Sequence, residues 1–256
     1  MKFLWNEKKM PLAVGAMGLV GMALRLLIAL VATDSRGLTV SGHPLTVILW
    51  GLTAVVAAAV SVFVWNRAGS RNYGANFPAS SGAAIGCGIM ALCVMASSAL
   101  NLERSTLGYV HYGLGLVSGS CLIFLTYGRY RGIATSFLFH CFVCVFLAVH
   151  LVSRYRPWSG DPQMLDYIFE VFACVLLMLY AYQQAAFQVG MGKRRTLLWL
   201  GLAAGYCSFV AVATAPMPLL YLGGGIWALT NLCSLELPRR RKAAPEAPRP
   251  EEDETA

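Results

Sequence analysis

Residues 11–32 read PLAVGAMGLVGMALRLLIALVA, and Arg25 is the only charged side chain among them. The hydrocarbon core of a bilayer is about 30 Å thick, and a helix needs about 20 apolar residues to cross it. The stretch is therefore long and apolar enough for one transmembrane helix. Similar runs recur along the rest of the chain, so this segment sets the fold class.

The composition of the whole chain agrees with this interpretation. Of its 256 residues, 57% are hydrophobic and 12% are charged, and the mean hydropathy is +0.61. Soluble domains carry about 25% charged residues. The composition excludes an ordinary water-soluble enzyme, a disordered chain and a small disulfide scaffold. It predicts a polytopic membrane protein.

Apolar runs of this length predict an all-α bundle of eight transmembrane helices. The last run, 197–234, is too long for one span at about 1.5 Å per residue, and Pro216-Met217-Pro218 interrupts it. Proline removes a hydrogen-bond donor and disfavours helix in the preceding residue. The predicted spans are 11–32, 44–65, 81–100, 107–127, 132–153, 163–187, 197–213 and 218–234. The inner loop 66–80 is expected to be irregular, and a tight inner turn is expected at 128–132, where glycines flank Arg129-Tyr130-Arg131.

The distribution of Lys and Arg predicts that both termini are cytoplasmic. With the N-terminus inside, 15 of the 20 Lys and Arg residues lie on the inner side. We divide the chain into a membrane domain, 1–236, and a charged cytoplasmic tail, 237–256, which we expect to be disordered because it is rich in Pro, Arg and Glu. The predicted location is the cytoplasmic membrane of a bacterium.

Three spans carry the Gly-x-x-x-Gly pattern, at Gly82 and Gly86, at Gly115 and Gly119, and at Gly201 and Gly205. Helices in lipid associate by close packing of small residues. The pattern predicts a compact bundle. For Gly115 and Gly119 an alternative is that they flank a substrate path below His111.

Arg25 and Glu170 are the charged side chains that most need an explanation inside the membrane. An intramembrane ionisable group is costly and suggests function. Each lies seven residues from the predicted outer end of its span, which places both about 10 Å below the outer surface. Equal depth and opposite charge predict that they form an ion pair, either purely structural or part of a binding site. Arg25 reaching the headgroups alone is the other alternative.

Further polar residues fall on the same side of the predicted bundle. Asp166 lies one turn above Glu170, and His111 lies one turn into its span. Arg25, His111, Asp166 and Glu170 are the predicted binding residues, around an outward-facing vestibule that the loop 154–158 could cover. The competing interpretations are a wet helix entrance for Asp166 and an interfacial anchor for His111.

A metal or other cofactor is not predicted. His140 and Cys144 share one helix face and are metal-ligand types, but two ligands on one helix leave a site incomplete. Core packing with a histidine hydrogen bond is the preferred interpretation of His140. The catalytic motifs H-E-x-x-H and G-x-S-x-G and the P-loop do not occur, so an enzyme is not the favoured class.

Three function classes remain. The first is a small-solute transporter or a membrane-embedded solute-binding subunit, favoured by the outer polar groups. The second is a non-catalytic scaffold, sensor or accessory subunit, favoured by the absence of a strong central site. The third and weakest is an enzyme acting on lipids. The expected partners are the lipid bilayer, a small solute and another membrane subunit. Nucleic acid is not expected, because the basic residues lie between apolar runs.

The orientation can be tested with a reporter fused after Ala256 that is active only outside the cytoplasm. We expect it to be silent, because eight spans and a cytoplasmic N-terminus return the chain to the cytoplasm. A fusion after Gly37, in the first predicted outer loop, is the matched positive control. An active C-terminal fusion would contradict the even number of spans.

Overall fold

The structure is a computed structural model that describes residues 9–32, 43–65, 73–102, 104–158 and 167–235, without the side chains of 75 and 155–158. Within these ranges it is all-helical. The helices are α1 (Met10–Val31), α2 (Pro44–Trp65), α3 (Tyr73–Asn76), α4 (Ser81–Leu100), α5 (Thr106–Arg131), α6 (Phe137–Trp158), α7 (Ile168–Gln188), α8 (Arg194–Val212) and α9 (Pro218–Cys233).

Each of the eight predicted spans corresponds to a long helix, so the prediction of a polytopic helix bundle is confirmed. Seven of these helices are long and apolar enough to cross a membrane. The eighth, α9, has 16 residues and at 1.5 Å per residue is about 24 Å long. The orientation of the bundle and the cytoplasmic tail, which lies outside the described residues, stay predictions.

The structure also differs from the predicted boundaries in several places. Helix α6 begins five residues later than predicted and continues through 154–158, where an outer loop was expected. The predicted start of the sixth span, at 163, lies outside the described residues, and α7 begins at Ile168. The inner loop 66–80 was expected to be irregular, but it contains the short helix α3. The turn expected at 128–132 is the last turn of α5, which runs to Arg131.

Local sequence signals explain several of these helix ends. The hydroxyl oxygens of Ser80 and Ser105 accept hydrogen bonds from the backbone N–H of Ala83 and Gly108 and so cap α4 and α5. Pro218 starts α9, where its missing N–H would be unsatisfied in any case. Gly132 ends α5 at φ 68°, in the left-handed region that favours glycine.

Five helices form a closed ring. Going around it, α4 packs on α5, α5 on α6, α6 on α7, α7 on α9, and α9 again on α4. Helix α8 lies behind α7 and α9 and packs on both. The pair α1 and α2 is attached to the outside of α8. Side chains that point into the ring from α5, α6, α7 and α9 are therefore inside the protein.

The contacts between helices are consistent with alternating helix directions. The start of α5 meets the end of α6 through His111 and His150, and the end of α5 meets the end of α9 through Arg129 and Asn231. We call the end of the bundle at which α1 begins the inner end, and the opposite end the outer end. These names follow the predicted orientation.

The outer surface of the bundle carries many apolar side chains, as a protein in contact with lipid requires. Leu30 on α1 and Trp65 on α2 are 80% and 81% exposed, and Leu92 on α4 is 67% exposed. Such exposure along long apolar helices supports the predicted contact with the lipid bilayer.

Two of the three Gly-x-x-x-Gly patterns pack as predicted at both glycines. A methyl group at Gly115 would overlap the Ser98 side chain of α4, and one at Gly119 would overlap Met95. Gly201 and Gly205 of α8 meet large side chains in the same way. Gly82 is different, because an added methyl group would meet only Ser80 of the preceding turn, at 3.9 Å.

We expect Gly115→Ala to destabilise the protein by about 1–3 kcal/mol, the usual cost of overpacking a close interface. Gly113→Ala is the matched control on the same helix, because a methyl group there meets nothing within 4 Å. Thermal unfolding of the purified variants in detergent measures the difference. Equal stability of the two variants would contradict the close approach of α4 and α5.

Candidate functional site

The outer end of the ring holds a hydrogen-bonded chain of three side chains. Nε2 of His111 on α5 lies 3.1 Å from Nδ1 of His150 on α6, and Nε2 of His150 lies 3.3 Å from the hydroxyl oxygen of Tyr221 on α9. All three side chains are buried. A neutral imidazole donates from one nitrogen and accepts at the other, so the hydrogen bonds of the chain can all point in either direction.

Glu170 lies at the same end and is the one acidic residue in the part of the chain that the structure describes. It is only 2% exposed and belongs to the first turn of α7, where the helix dipole favours negative charge. Its Oε2 atom has no hydrogen-bond partner within the described residues. This oxygen can therefore accept a hydrogen bond from a ligand inside the protein.

Two arginines act electrostatically on this carboxyl group, Arg154 of α6 more strongly and Arg25 of α1 less strongly. Arg154 Nη2 is buried and has no hydrogen-bond partner within the described residues. The outer cluster, defined as Arg25, His111, His150, Arg154, Glu170 and Tyr221, therefore combines an unpartnered donor atom with an unpartnered acceptor atom.

The structure brings Arg25 near the start of α7. Arg25 is buried, and its guanidinium carbon lies 5.8 Å from the centre of the Phe169 ring, next to Glu170 in the sequence. Its helix, α1, packs chiefly on α8, so the long side chain reaches α7 from a helix that is not its main neighbour. Direct pairing of Arg25 with Glu170 stays a prediction.

The other predicted binding residues have different outcomes. His111 is buried and hydrogen-bonded to another side chain, rather than exposed as an interfacial anchor. Asp166 lies outside the described residues.

A second polar cluster lies at the inner end of the ring, around Arg129. This arginine is 6% exposed. Its Nε donates to Asn231 Oδ1 at 2.9 Å and its Nη2 donates to Ser234 Oγ at 2.7 Å. Its guanidinium carbon lies 4.8 Å from the centre of the Phe77 ring. The sequence predicted a tight inner turn at Arg129, and that prediction is wrong because α5 continues through Arg129 to Arg131.

Other buried donors surround the same place. His140 Nε2 lies 3.0 Å from Gln184 Oε1, which agrees with the core-packing interpretation of His140. Several buried side-chain atoms here have no hydrogen-bond partner within the described residues. Among them are Arg129 Nη1, His140 Nδ1, Gln184 Nε2 and the Tyr180 hydroxyl oxygen. Arg129, His140 and Gln184 also line a small cavity of about 10 Å³. The inner cluster is Arg129, His140, Tyr180, Gln184 and Asn231.

The short helix α3 and the residues after it cover this cavity. Phe77, which lines it, is stacked on Tyr73 and meets Phe187 edge-on. Arg194 Nη1 at the start of α8 donates to Asn76 Oδ1 at 2.6 Å. The Ser80 N–H donates to the Arg129 carbonyl at 3.1 Å. These contacts hold the segment 73–80 across the inner end of the ring.

Sequence reasoning missed the inner cluster although one signal for it was present. Tyr180, Gln184 and Gln188 follow one another at helical spacing on the predicted sixth span, and amide side chains in a span need partners in the protein. Asn231 and Arg129 are 102 residues apart, so only the fold brings them together.

Comparison with known proteins adds no family. No protein-family model, no curated protein sequence and no solved structure matches this chain. Within the described residues, no group of three or more His, Cys, Asp or Glu side chains is placed to hold a metal ion. The two clusters are therefore the features of the chain that bear on its function.

The predicted Arg25–Glu170 pair can be tested by a double-mutant cycle on unfolding stability. We expect Glu170→Gln to cost about 3–5 kcal/mol, because breaking a buried pair leaves an uncompensated charge. Arg25→Gln combined with Glu170→Gln should cost less than the sum of the single changes.

The matched control is Arg104→Gln, which removes an exposed arginine and should add independently to Glu170→Gln. A coupling energy below about 0.5 kcal/mol, the usual limit of additivity, would show that Arg25 and Glu170 do not interact.

Proposed function

We propose that this integral membrane protein is a transporter, or the membrane-embedded binding subunit of one, for a small anionic solute that binds at the outer cluster. The observation that carries the proposal is the pair of buried atoms, Glu170 Oε2 and Arg154 Nη2, that lack hydrogen-bond partners within the described residues. A buried polar atom left unsatisfied costs about 1–3 kcal/mol. A bound solute would remove that cost.

The unpartnered donor of a guanidinium group favours an anion. Arg154 Nη2 is a buried donor without a partner, and Glu170 Oε2 is a buried acceptor without one, within the described residues. A guanidinium binds a carboxylate through two parallel hydrogen bonds, and a hydroxyl group on the same solute can donate to Glu170 Oε2. A small hydroxy-monocarboxylate, such as lactate or glycerate, is therefore the solute class that we propose.

The chain His111–His150–Tyr221 gives the site a way to respond to a proton. If a proton is added at one end, each hydrogen bond along the chain can reverse, because each imidazole can exchange its donor and acceptor nitrogens. Tyr221 lies within electrostatic range of Glu170 and Arg154. The chain thus links the histidines to the charged groups.

The layout of the ring supports transport rather than a purely structural role. Polar clusters occupy both ends of its interior, and fully buried apolar side chains, among them Val143, Leu147 and Leu177, lie between them. Intramembrane ionisable residues commonly mark solute or ion pathways. A scaffold has no need for such groups inside the bundle. We place the protein in the cytoplasmic membrane of a bacterium, because its sequence contains no N-x-S/T glycosylation site. Both termini then lie in the cytoplasm, as the distribution of Lys and Arg predicts.

The test measures the thermal stability of the purified full chain with acetate, L-lactate or glycerate, each against chloride at equal ionic strength. We expect at least one monocarboxylate to raise the midpoint in a saturable way, because a ligand that binds only the folded state stabilises it. In Arg154→Gln, an at least tenfold higher anion concentration should be needed for the same rise in the unfolding midpoint. Uptake of the effective anion into proteoliposomes then tests transport.

Arg104→Gln, which removes an exposed arginine, is the matched control and should respond like the wild type. If none of the three anions acts beyond chloride, or if Arg154→Gln responds unchanged, the outer cluster does not bind monocarboxylates. Binding without uptake would favour a binding subunit over a complete transporter.

A further inference from the structure

The inner cluster contains a buried positive charge that no described carboxylate compensates. Arg129 is 6% exposed, and the side-chain partners of its guanidinium are the neutral oxygens of Asn231 and Ser234 and the Phe77 ring. The one acidic residue of the described chain, Glu170, lies at the outer end. A buried ion without a counter-ion is strongly destabilising.

The wall of the cavity has hydrogen-bonding capacity that is unused within the described residues. Arg129 Nη1 and Gln184 Nε2 are buried donors without partners, and Gln188 Oε1 is a buried acceptor without one. Rotation of the Gln188 amide exchanges the places of its oxygen and nitrogen, so its Nε2 can turn toward a ligand. The guanidinium charge calls for a negatively charged acceptor, and a water molecule would add no negative charge.

The size of the cavity restricts the anion. Its volume of about 10 Å³ is close to the minimum that holds one water molecule. A lipid headgroup or a carboxylate is too large unless the segment 73–80 moves away. A monatomic anion comes nearest in size, and the flexible side chains of Gln184 and Gln188, which line the cavity, allow the small expansion it needs.

We propose that the inner cluster is a binding site for a compact inorganic anion, with chloride as the reference ligand. Arg129 supplies the charge, Gln184 supplies a neutral donor, and Phe77 covers the site from the inner end. Chloride there satisfies the donors and neutralises the guanidinium. The site is independent of the outer cluster and does not require the protein to transport a monocarboxylate.

The experiment compares thermal unfolding of the purified full chain in sodium chloride and in sodium gluconate at equal ionic strength, together with equilibrium binding of radioactive chloride. We expect a saturable rise in the unfolding midpoint with chloride, and about one bound chloride per chain. Arg129→Gln should lower the chloride affinity at least tenfold. Arg131→Gln, which removes an exposed arginine two residues away, should leave it unchanged.

A second variant keeps the test decisive if Arg129→Gln fails to fold. Gln184→Glu places a carboxylate at the cavity wall, where it acts as a tethered anion beside Arg129. This variant should be stable without chloride and should bind none. Arg104→Gln, which removes an exposed arginine just before α5, should bind chloride like the wild type whether or not the outer cluster binds a solute.

Three results would overturn the proposal. The first is equal stability of the wild type in chloride and gluconate with no bound chloride. The second is unchanged chloride binding in both Arg129→Gln and Gln184→Glu. The third is stabilisation by phosphatidylglycerol or phosphate but not by chloride, which would mean that the segment 73–80 opens to admit a larger phosphate group.

Discussion

Charge that is held away from water must be compensated inside the protein, and this constraint accounts for most of the buried polar structure. Desolvating an ion costs several kcal/mol unless counter-charges and hydrogen bonds replace water. Within the described chain three arginines are buried, Arg25, Arg129 and Arg194. The described side-chain contacts of Arg129 are two neutral oxygens and an aromatic ring, and Arg194 donates to the neutral amide oxygen of Asn76. Neutral groups thus substitute for water around these two side chains.

That substitution explains why short and irregular parts of the chain are placed as they are. The helix α3 brings Asn76 to Arg194 and Phe77 to Arg129. The last turn of α9 brings Asn231 to Arg129, and Asn231 itself donates to the Trp227 carbonyl at 2.9 Å. The attraction between a cation and an aromatic face is stronger when both are shielded from water. The inner end is thus closed by contacts that these cations require.

The fold was predictable from the sequence because the signal was local and strong. Runs of about 20 apolar residues fix the helices one at a time, and the proline pair before α9 divides the last run correctly. The ends of α6 were less predictable. A polar stretch such as Arg154 to Trp158 looks like a loop, but a helix can continue past the bilayer core into the headgroup region.

The sites were less predictable, since they depend on which helices become neighbours. His111 and His150 are 39 residues apart and belong to adjacent helices, whereas Arg25 belongs to a helix attached behind α8. The depth of a residue along its span can be counted from the sequence. Which neighbouring helix its side chain faces cannot be counted in that way. For Arg129, the flanking glycines suggested a turn. Gly128 instead lets α5 pass close to Thr135, which keeps the arginine inside.

The distance between the two clusters restricts any transport mechanism. His140 and His150 are ten residues apart on α6, which is about 15 Å along the helix, and the side chains that point inward between them are apolar and fully buried. A static pore does not exist there, because an ion in that layer would lose its hydration without gaining partners. Passage through the ring therefore requires its helices to shift relative to one another.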